Sequence, residues 1–110
     1  PSHVSFAIVK DEAVIGGIGL MNIKDHKLEL GYWLNEKYWG KGIMTNVVKL
    51  MVEYGFKKFK VRRIYAGALT PNVGSRRVLE KAGFTFEGVS RKSAQKGKKV
   101  YDQAMYAIVR

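Results

Sequence analysis

The run Lys37-Tyr38-Trp39-Gly40-Lys41-Gly42-Ile43-Met44-Thr45 carries the residue types needed to hold an anion. Gly40 and Gly42 let the backbone turn tightly and present bare N–H groups to phosphate oxygens, and the helical periodicity that opens here adds the positive end of a helix dipole. Lys37 and Lys41 add side-chain cations. The same Gly-x-Gly spacing occurs in plain strand-to-helix connections, so the run alone reads as a phosphate cradle or as an ordinary turn. Gly16, Gly17 and Gly19 sit among Val14, Ile15, Ile18 and Leu20 with no helix after them, and read as bulge or close-packing positions. His3 and His26 are too far apart and too poorly accompanied for a metal site, and read as surface loop residues. With no cysteine in the chain, thiolate nucleophiles, disulfides and thiolate metal sites are excluded.

The elements that must position this run alternate strand and helix. Val4 to Val9 and Ala13 to Ile23 read as a hairpin turning at Lys10-Asp11-Glu12. After Lys24-Asp25-His26, Leu28, Leu30, Tyr32 and Leu34 alternate with Glu29, Gly31 and Trp33 in a third strand that delivers the chain into the glycine loop. From Gly42 to about Lys58, Ile43, Val47, Leu50, Met51 and Tyr54 fall at helical spacing, which predicts their face toward the core. Arg63 to Leu69 reads as a fourth strand, stopped at Thr70-Pro71-Asn72, where Asn72 can cap a second helix over Val73 to Ala82. That helix is expected to bury Val78, Leu79 and Ala82 and to end at Gly83. Phe84 to Val89 and Val100 to Val109 read as closing strands around a basic loop containing Gly97. Strand, helix, strand in the middle implies a parallel crossover and the hairpins imply antiparallel pairing. The fold class is therefore α/β, a mixed sheet with helices on its faces.

At 110 residues the chain forms one domain over 1–110, with room for a single core. No apolar run reaches a membrane span and none resembles a signal peptide, so the expected setting is the cytoplasm, with no membrane partner. Pro1-Ser2 suits a mature chain that has lost its initiator methionine and suits an excised fragment equally well. The net charge of +11 concentrates in Lys57 to Arg63 and Arg91 to Lys99. Such a field is either a solvated basic face or an attraction for a phosphate-rich cofactor, nucleic acid or an acidic protein.

Leu28 to Thr45, followed by Asn72 to Gly88 with its Asn72-Val73-Gly74-Ser75-Arg76-Arg77 and Glu80-Lys81-Ala82-Gly83-Phe84, resembles the GNAT acetyltransferases, and most closely the branch that acetylates alanine N-termini of ribosomal proteins. The resemblance covers about Ser5 to Arg110, two motifs in the right order. It implies the GNAT acyl-CoA N-acyltransferase fold, a mixed, mostly antiparallel sheet with a central parallel strand pair. It also implies acetyl-CoA as co-substrate, lying between splayed parallel strands that end at Leu34 and Leu69, with no metal. Backbone groups near Trp33 and Leu34 would pair with the pantetheine amides, and N–H groups from Tyr38 through Thr45 would hold the pyrophosphate, as the bare reading of the loop allowed. Asn72 and Ser75 would face the cofactor arm near its sulfur, roles compatible with capping, and Arg76 or Arg77 would reach its phosphates or simply face solvent.

Amine acetylation must take a proton from an ammonium, stabilise an oxyanion and protonate a thiolate. Glu29, on the strand face shared with Gly31 and Trp33, is the acidic candidate for the base; otherwise it is a plain exposed carboxylate. Many relatives place a tyrosine before the Glu-Lys pair to protonate sulfur, whereas this chain has Leu79, which shifts that role to Ser75 or to water. A carboxylate found in the branch after the equivalent of Glu87-Gly88 is absent from Ser90 to Lys99. Family members also begin with a strand and helices that wall the acceptor site, and this chain is expected to start after them, as a fragment, a minimal variant or a chain completed by dimerising. Three functions stay open: an N-acetyltransferase acting on a primary amine, foremost a protein N-terminus; a non-catalytic CoA-binding domain; and a basic module associating with ribosome, RNA or acidic protein.

Overall fold

The computed structural model describes residues 3–110; Pro1 and Ser2, and the reading made of them, lie outside the described residues. Six strands and two helices follow in the order β1 (Val4–Lys10), β2 (Ala13–Lys24), β3 (Lys27–Leu34), α1 (Ile43–Phe59), β4 (Arg63–Leu69), α2 (Val73–Lys81), β5 (Thr85–Lys96) and β6 (Lys99–Val109), with a 3-10 turn at Glu36–Tyr38. They form one sheet ordered β1-β2-β3-β4-β6-β5. Only β3 and β4, joined through α1, run parallel; every other neighbouring pair is antiparallel. The expected mixed sheet is therefore present.

Strand alternation sorts the sheet into two unlike faces. Leu20, Leu28, Leu30, Ile64 and Tyr106 point one way and are almost fully buried against Val48 of α1 and Leu79 of α2. Both helices thus flank the same face. The opposite face carries Ser5, Ala7, Gly17, Gly19, Met21, Gly31 and Trp33, lining a shallow trough. Gly16 and Gly17 are close-packing positions as expected: a Cβ on Gly16 would stand 2.5 Å from the Trp33 carbonyl, and one on Gly17 would stand 2.6 Å from Trp33 Nε1.

Two sequence readings need correction. The fully buried stripe of α1 is Met44, Val48, Val52 and Gly55; of the expected face, Val47 and Met51 pack half-buried against the core, while Leu50 is 71% exposed and Tyr54 is exposed as well. Apolar residues cover two adjoining stripes of this helix, and Gly55 decides between them. Its missing side chain lets the backbone approach Ile64, Leu20 and Leu28, with Ile64 Cδ1 only 3.1 Å from where a Cβ would sit. The second correction concerns the segment Ser90 to Lys99. It is not a loop: β5 continues to Lys96, β6 resumes at Lys99, and only Gly97-Lys98 turn. A bulge sets Arg91, Lys92 and Ser93 against Asp102, whose carboxylate accepts the Lys92 N–H at 2.7 Å.

Candidate active site

β3 and β4 pair only through Lys27↔Arg63, Leu28↔Ile64 and Glu29↔Tyr65. Beyond those residues β3 runs on to Leu34 and β4 to Leu69 without pairing to each other, while their outer edges stay bonded to β2 and β6. The result is a wedge between two strand edges whose inward backbone groups have no ladder partner. In parallel α/β sheets such openings at the C-terminal strand ends are where ligands dock.

Both helices start at the mouth of this wedge, α1 after β3 and α2 after β4. The approach to α1 is built locally. The Asn35 N–H donates to the Ile15 carbonyl at 2.7 Å, and the Asn35 side chain accepts from the Lys37 N–H at 3.0 Å, opening the 3-10 turn. Trp39 Nε1 donates to the Leu34 carbonyl at 2.7 Å and ties the loop to the strand end. Gly40 and Gly42 then take φ of +74° and +78°, a region open to glycine at little cost and strained for other residues. Among the described residues no side chain caps α1, and its first turn holds no acid. A helix leaves its first N–H groups without intrahelical partners, so Ile43, Met44 and Thr45 present donors at a positive dipole end. Lys37 and Lys41 are exposed beside it, with Lys41 Nζ and Lys10 Nζ about 6 Å from the Tyr38 ring centre. Anions suit this end; Met44 can offer only its backbone, because its side chain lies in the core.

The start of α2 is arranged differently. The Asn72 side chain accepts the Ser75 N–H at 3.0 Å, as the sequence predicted for a cap. Ser75 Oγ lies 2.8 Å from Tyr32 Oη, and Tyr32 Oη donates to the Ser75 carbonyl at 3.1 Å. Burial raises the Tyr32 phenol above its ordinary pKa and the Ser75 hydroxyl draws it partly back. Arg76 is engaged inside the fold, with Nε donating to Tyr106 Oη at 3.2 Å and Nη1 to the Thr70 carbonyl at 3.4 Å; Tyr106 in turn donates to Glu80 at 2.9 Å. Arg77 is exposed.

Glu29 stands at the vertex, in the last paired register of β3 with β4, on the face without helices. Its carboxylate accepts Asn22 Nδ2 at 2.7 Å, and Tyr65 beside it is raised in pKa by burial and then by the Glu29 charge. Glu29 and Ser75 are not brought together; they lie on opposite faces with the wedge between them. Trp33 shares the face of Glu29, and Leu34 borders the wedge with its carbonyl already accepting from Trp39. Leu79, which the helical spacing placed on the buried face, is fully buried in the core. Tyr32 was missed as a site residue. Its signal was present, because it ends the core-facing row Leu28, Leu30, Tyr32, and a phenol at the rim of a core needs a polar partner. Among the described residues no cluster of His, Asp or Glu could hold a metal, and no helix is long and apolar enough to cross a membrane.

Comparison with known proteins agrees with this geometry. The chain is 43% identical over 96 residues to the "Probable N-acetyltransferase YjcK" of Bacillus subtilis (strain 168), covering 84% of this chain and 53% of that protein. The structure of a ribosomal-protein-S5-alanine acetyltransferase from Vibrio fischeri matches with a TM-score of 0.92 at 29% identity, over 98% of this chain and 62% of that one. The microcin C7 self immunity acetyltransferase MccE, solved with acetyl-CoA and AMP, matches with a TM-score of 0.89 at 27% identity, over 99% of this chain and 62% of that one. The chain thus spans little more than half the length of these relatives. The model of the acetyltransferase (GNAT) domain matches residues 1–85, and with the splayed parallel pair and the glycine turn into α1 it makes the chain a member of the GNAT acetyltransferase family.

Proposed function

We propose that this chain binds acetyl-CoA in the β3–β4 wedge and transfers its acetyl group to a primary amine, a protein N-terminus. The observation that carries the reading is the uncapped, acid-free N-terminus of α1 at the wedge mouth, entered through Gly40 and Gly42. Backbone N–H groups from Tyr38 through Thr45 would receive the pyrophosphate, with Lys37, Lys41 and Arg77 as the nearby cations. The unpaired edge near Trp33 and Leu34 offers the amide partners that a pantetheine arm needs, and Asn72 and Ser75 close the far side. MccE, solved with acetyl-CoA, supports the co-substrate, and the Vibrio fischeri protein, named for an alanine of a ribosomal protein, supports the acceptor class. In this reading Glu29 takes the ammonium proton from one face of the sheet and Ser75 serves the leaving sulfur from the other.

Charge chooses among acceptors. Small polycations need carboxylates to compensate them, and this chain has nine acidic residues against twenty basic ones. A peptide with acidic residues after its first position should be acetylated faster than neutral or basic peptides at low salt. That preference should fade as salt screens exposed charges over a Debye length of about 10 Å at 0.1 M. CoA-thiol release with acidic, neutral and basic peptides and with spermidine tests this. Spermidine as the best acceptor would overturn the acceptor class, and absence of an acetyl-CoA-dependent rise in melting temperature would overturn the whole reading.

A further inference from the structure

Ser75 is gripped on three sides. Its N–H is held by Asn72, its carbonyl oxygen accepts Tyr32 Oη at 3.1 Å, and its hydroxyl oxygen lies 2.8 Å from the same phenol. Tyr32 comes from the part of β3 that has already parted from β4, so its side chain crosses the wedge on the helix face to reach the first turn of α2. A carbonyl oxygen can only accept, so the phenol proton is directed at Ser75. The 2.8 Å contact between the two hydroxyls can run from Ser75 Oγ to Tyr32 Oη or back, so the pair shares two protons among three oxygens, and the serine hydroxyl is held in place at the first turn of α2.

We propose that Tyr32 is a positioning residue: by bonding both oxygens of Ser75 from across the β3–β4 wedge, it fixes where the Ser75 hydroxyl stands and shares a proton with it. The inference rests on the acetyl-transfer reading and adds a residue to it. In the transfer the amine nitrogen bonds to the thioester carbon and the carbon–sulfur bond breaks. The departing sulfur takes the Ser75 hydroxyl proton, the Tyr32 proton follows onto Ser75 Oγ, and solvent returns to Tyr32 the proton shed by the amine. Burial supports the arrangement, because it favours the neutral phenol and so keeps the donor in place at neutral pH.

The test is a double-variant cycle on kcat and KM for acetyl-CoA, using Tyr32→Phe, Ser75→Ala and both together, read by thiol release with the acidic peptide. Tyr32→Phe should lower kcat about tenfold, the worth of one hydrogen bond, with KM changed by less than about twofold. Its acetyl-CoA-dependent rise in melting temperature should match the wild type, showing an intact fold. In the Ser75→Ala background the second substitution should bring no further loss, since a positioning effect vanishes with the group it positions. A wild-type kcat in Tyr32→Phe, a change confined to KM, or the same loss in both backgrounds would overturn the inference while leaving acetyl transfer standing. A wild-type protein that acetylates no amine would overturn the acetyl-transfer reading, and this inference with it.

Discussion

The two helix starts at the wedge mouth occupy equivalent places, each following the C-terminal end of a parallel strand, yet they are finished in opposite ways. The N-terminus of α2 is closed: Asn72 accepts the Ser75 N–H, and Tyr32 holds Ser75 from across the wedge. The N-terminus of α1 is open, with a left-handed glycine at its entry, no cap and no acid in its first turn. Length and burial explain why each tolerates its state. α1 has 17 residues and buries Met44, Val48, Val52 and Gly55, so packing holds it without a cap. α2 has nine residues, with Leu79 fully buried and Val78 half-buried against the core, so a cap worth about 1 kcal/mol is a sizeable part of what keeps it wound. The lesson is that an unsatisfied helix end can be left for a ligand where the rest of the helix is anchored by its core face.

The comparison breaks most visibly if the open end is filled. Acetyl-CoA at a hundred times its Kd should stabilise the protein by about 2.7 kcal/mol, on the order of 10 °C in melting temperature. Gly40→Val with Gly42→Val should abolish that rise, because side chains strain the left-handed turn and occupy the space before the donors. An unchanged rise in the double variant, measured by differential scanning fluorimetry, would place the anion site elsewhere. Opening the closed end is a smaller change. Asn72→Ala should cost about 1 kcal/mol, lowering the melting temperature of the ligand-free protein by about 4–8 °C. No drop in a thermal melt would mean that the Tyr32 contact alone secures α2. The smallest effect sharpens the contrast. Thr45→Glu puts a carboxylate in the first turn of α1 and should stabilise the ligand-free protein by about 0.3–1 kcal/mol through the helix dipole. The same charge should shrink the acetyl-CoA rise by repelling its phosphates, so titration calorimetry showing unweakened binding would argue against an anion at this end.

Local chemistry made some of this legible in the sequence. β4 runs from Arg63 to Leu69 as expected because a short apolar run soon meets a proline, and Asn72 caps α2 because a short acceptor sits directly before the helix. The glycine loop was readable for the same reason: Gly-x-Gly before a helix permits the positive φ that Gly40 and Gly42 adopt and that other residues resist. What failed depends on distant residues. The face of α1 was right in Val47 and Met51 but missed the fully buried row beside them, because two apolar stripes adjoin and the approach of Gly55 to β3 and β4 settles which lies deepest. The Lys-rich end of β5 was read as a loop because charge is a poor strand signal, although on an edge strand lysines are a common guard against further pairing. Tyr32 and Ser75 are 43 positions apart, a contact that no local pattern encodes. The resemblance supplied the wedge and its ligand; the splay after Glu29 and Tyr65 supplies the physical opening.

The chain has two tryptophans, and both belong to this one neighbourhood. Trp33 lies over Gly17 near the end of β3 and is 58% exposed; Trp39 is 60% exposed and hydrogen-bonded to the Leu34 carbonyl. Light absorbed by indole is therefore re-emitted only from the rim of the wedge, by rings in contact with water whose colour and brightness respond to whatever displaces it. The protein carries its own optical gauge, sited where the co-substrate is expected and insensitive to events at the lysine-rich hairpin across the sheet. An unlabelled molecule can thus report, from emission alone, whether an anion has reached the open helix end or merely the charged surface.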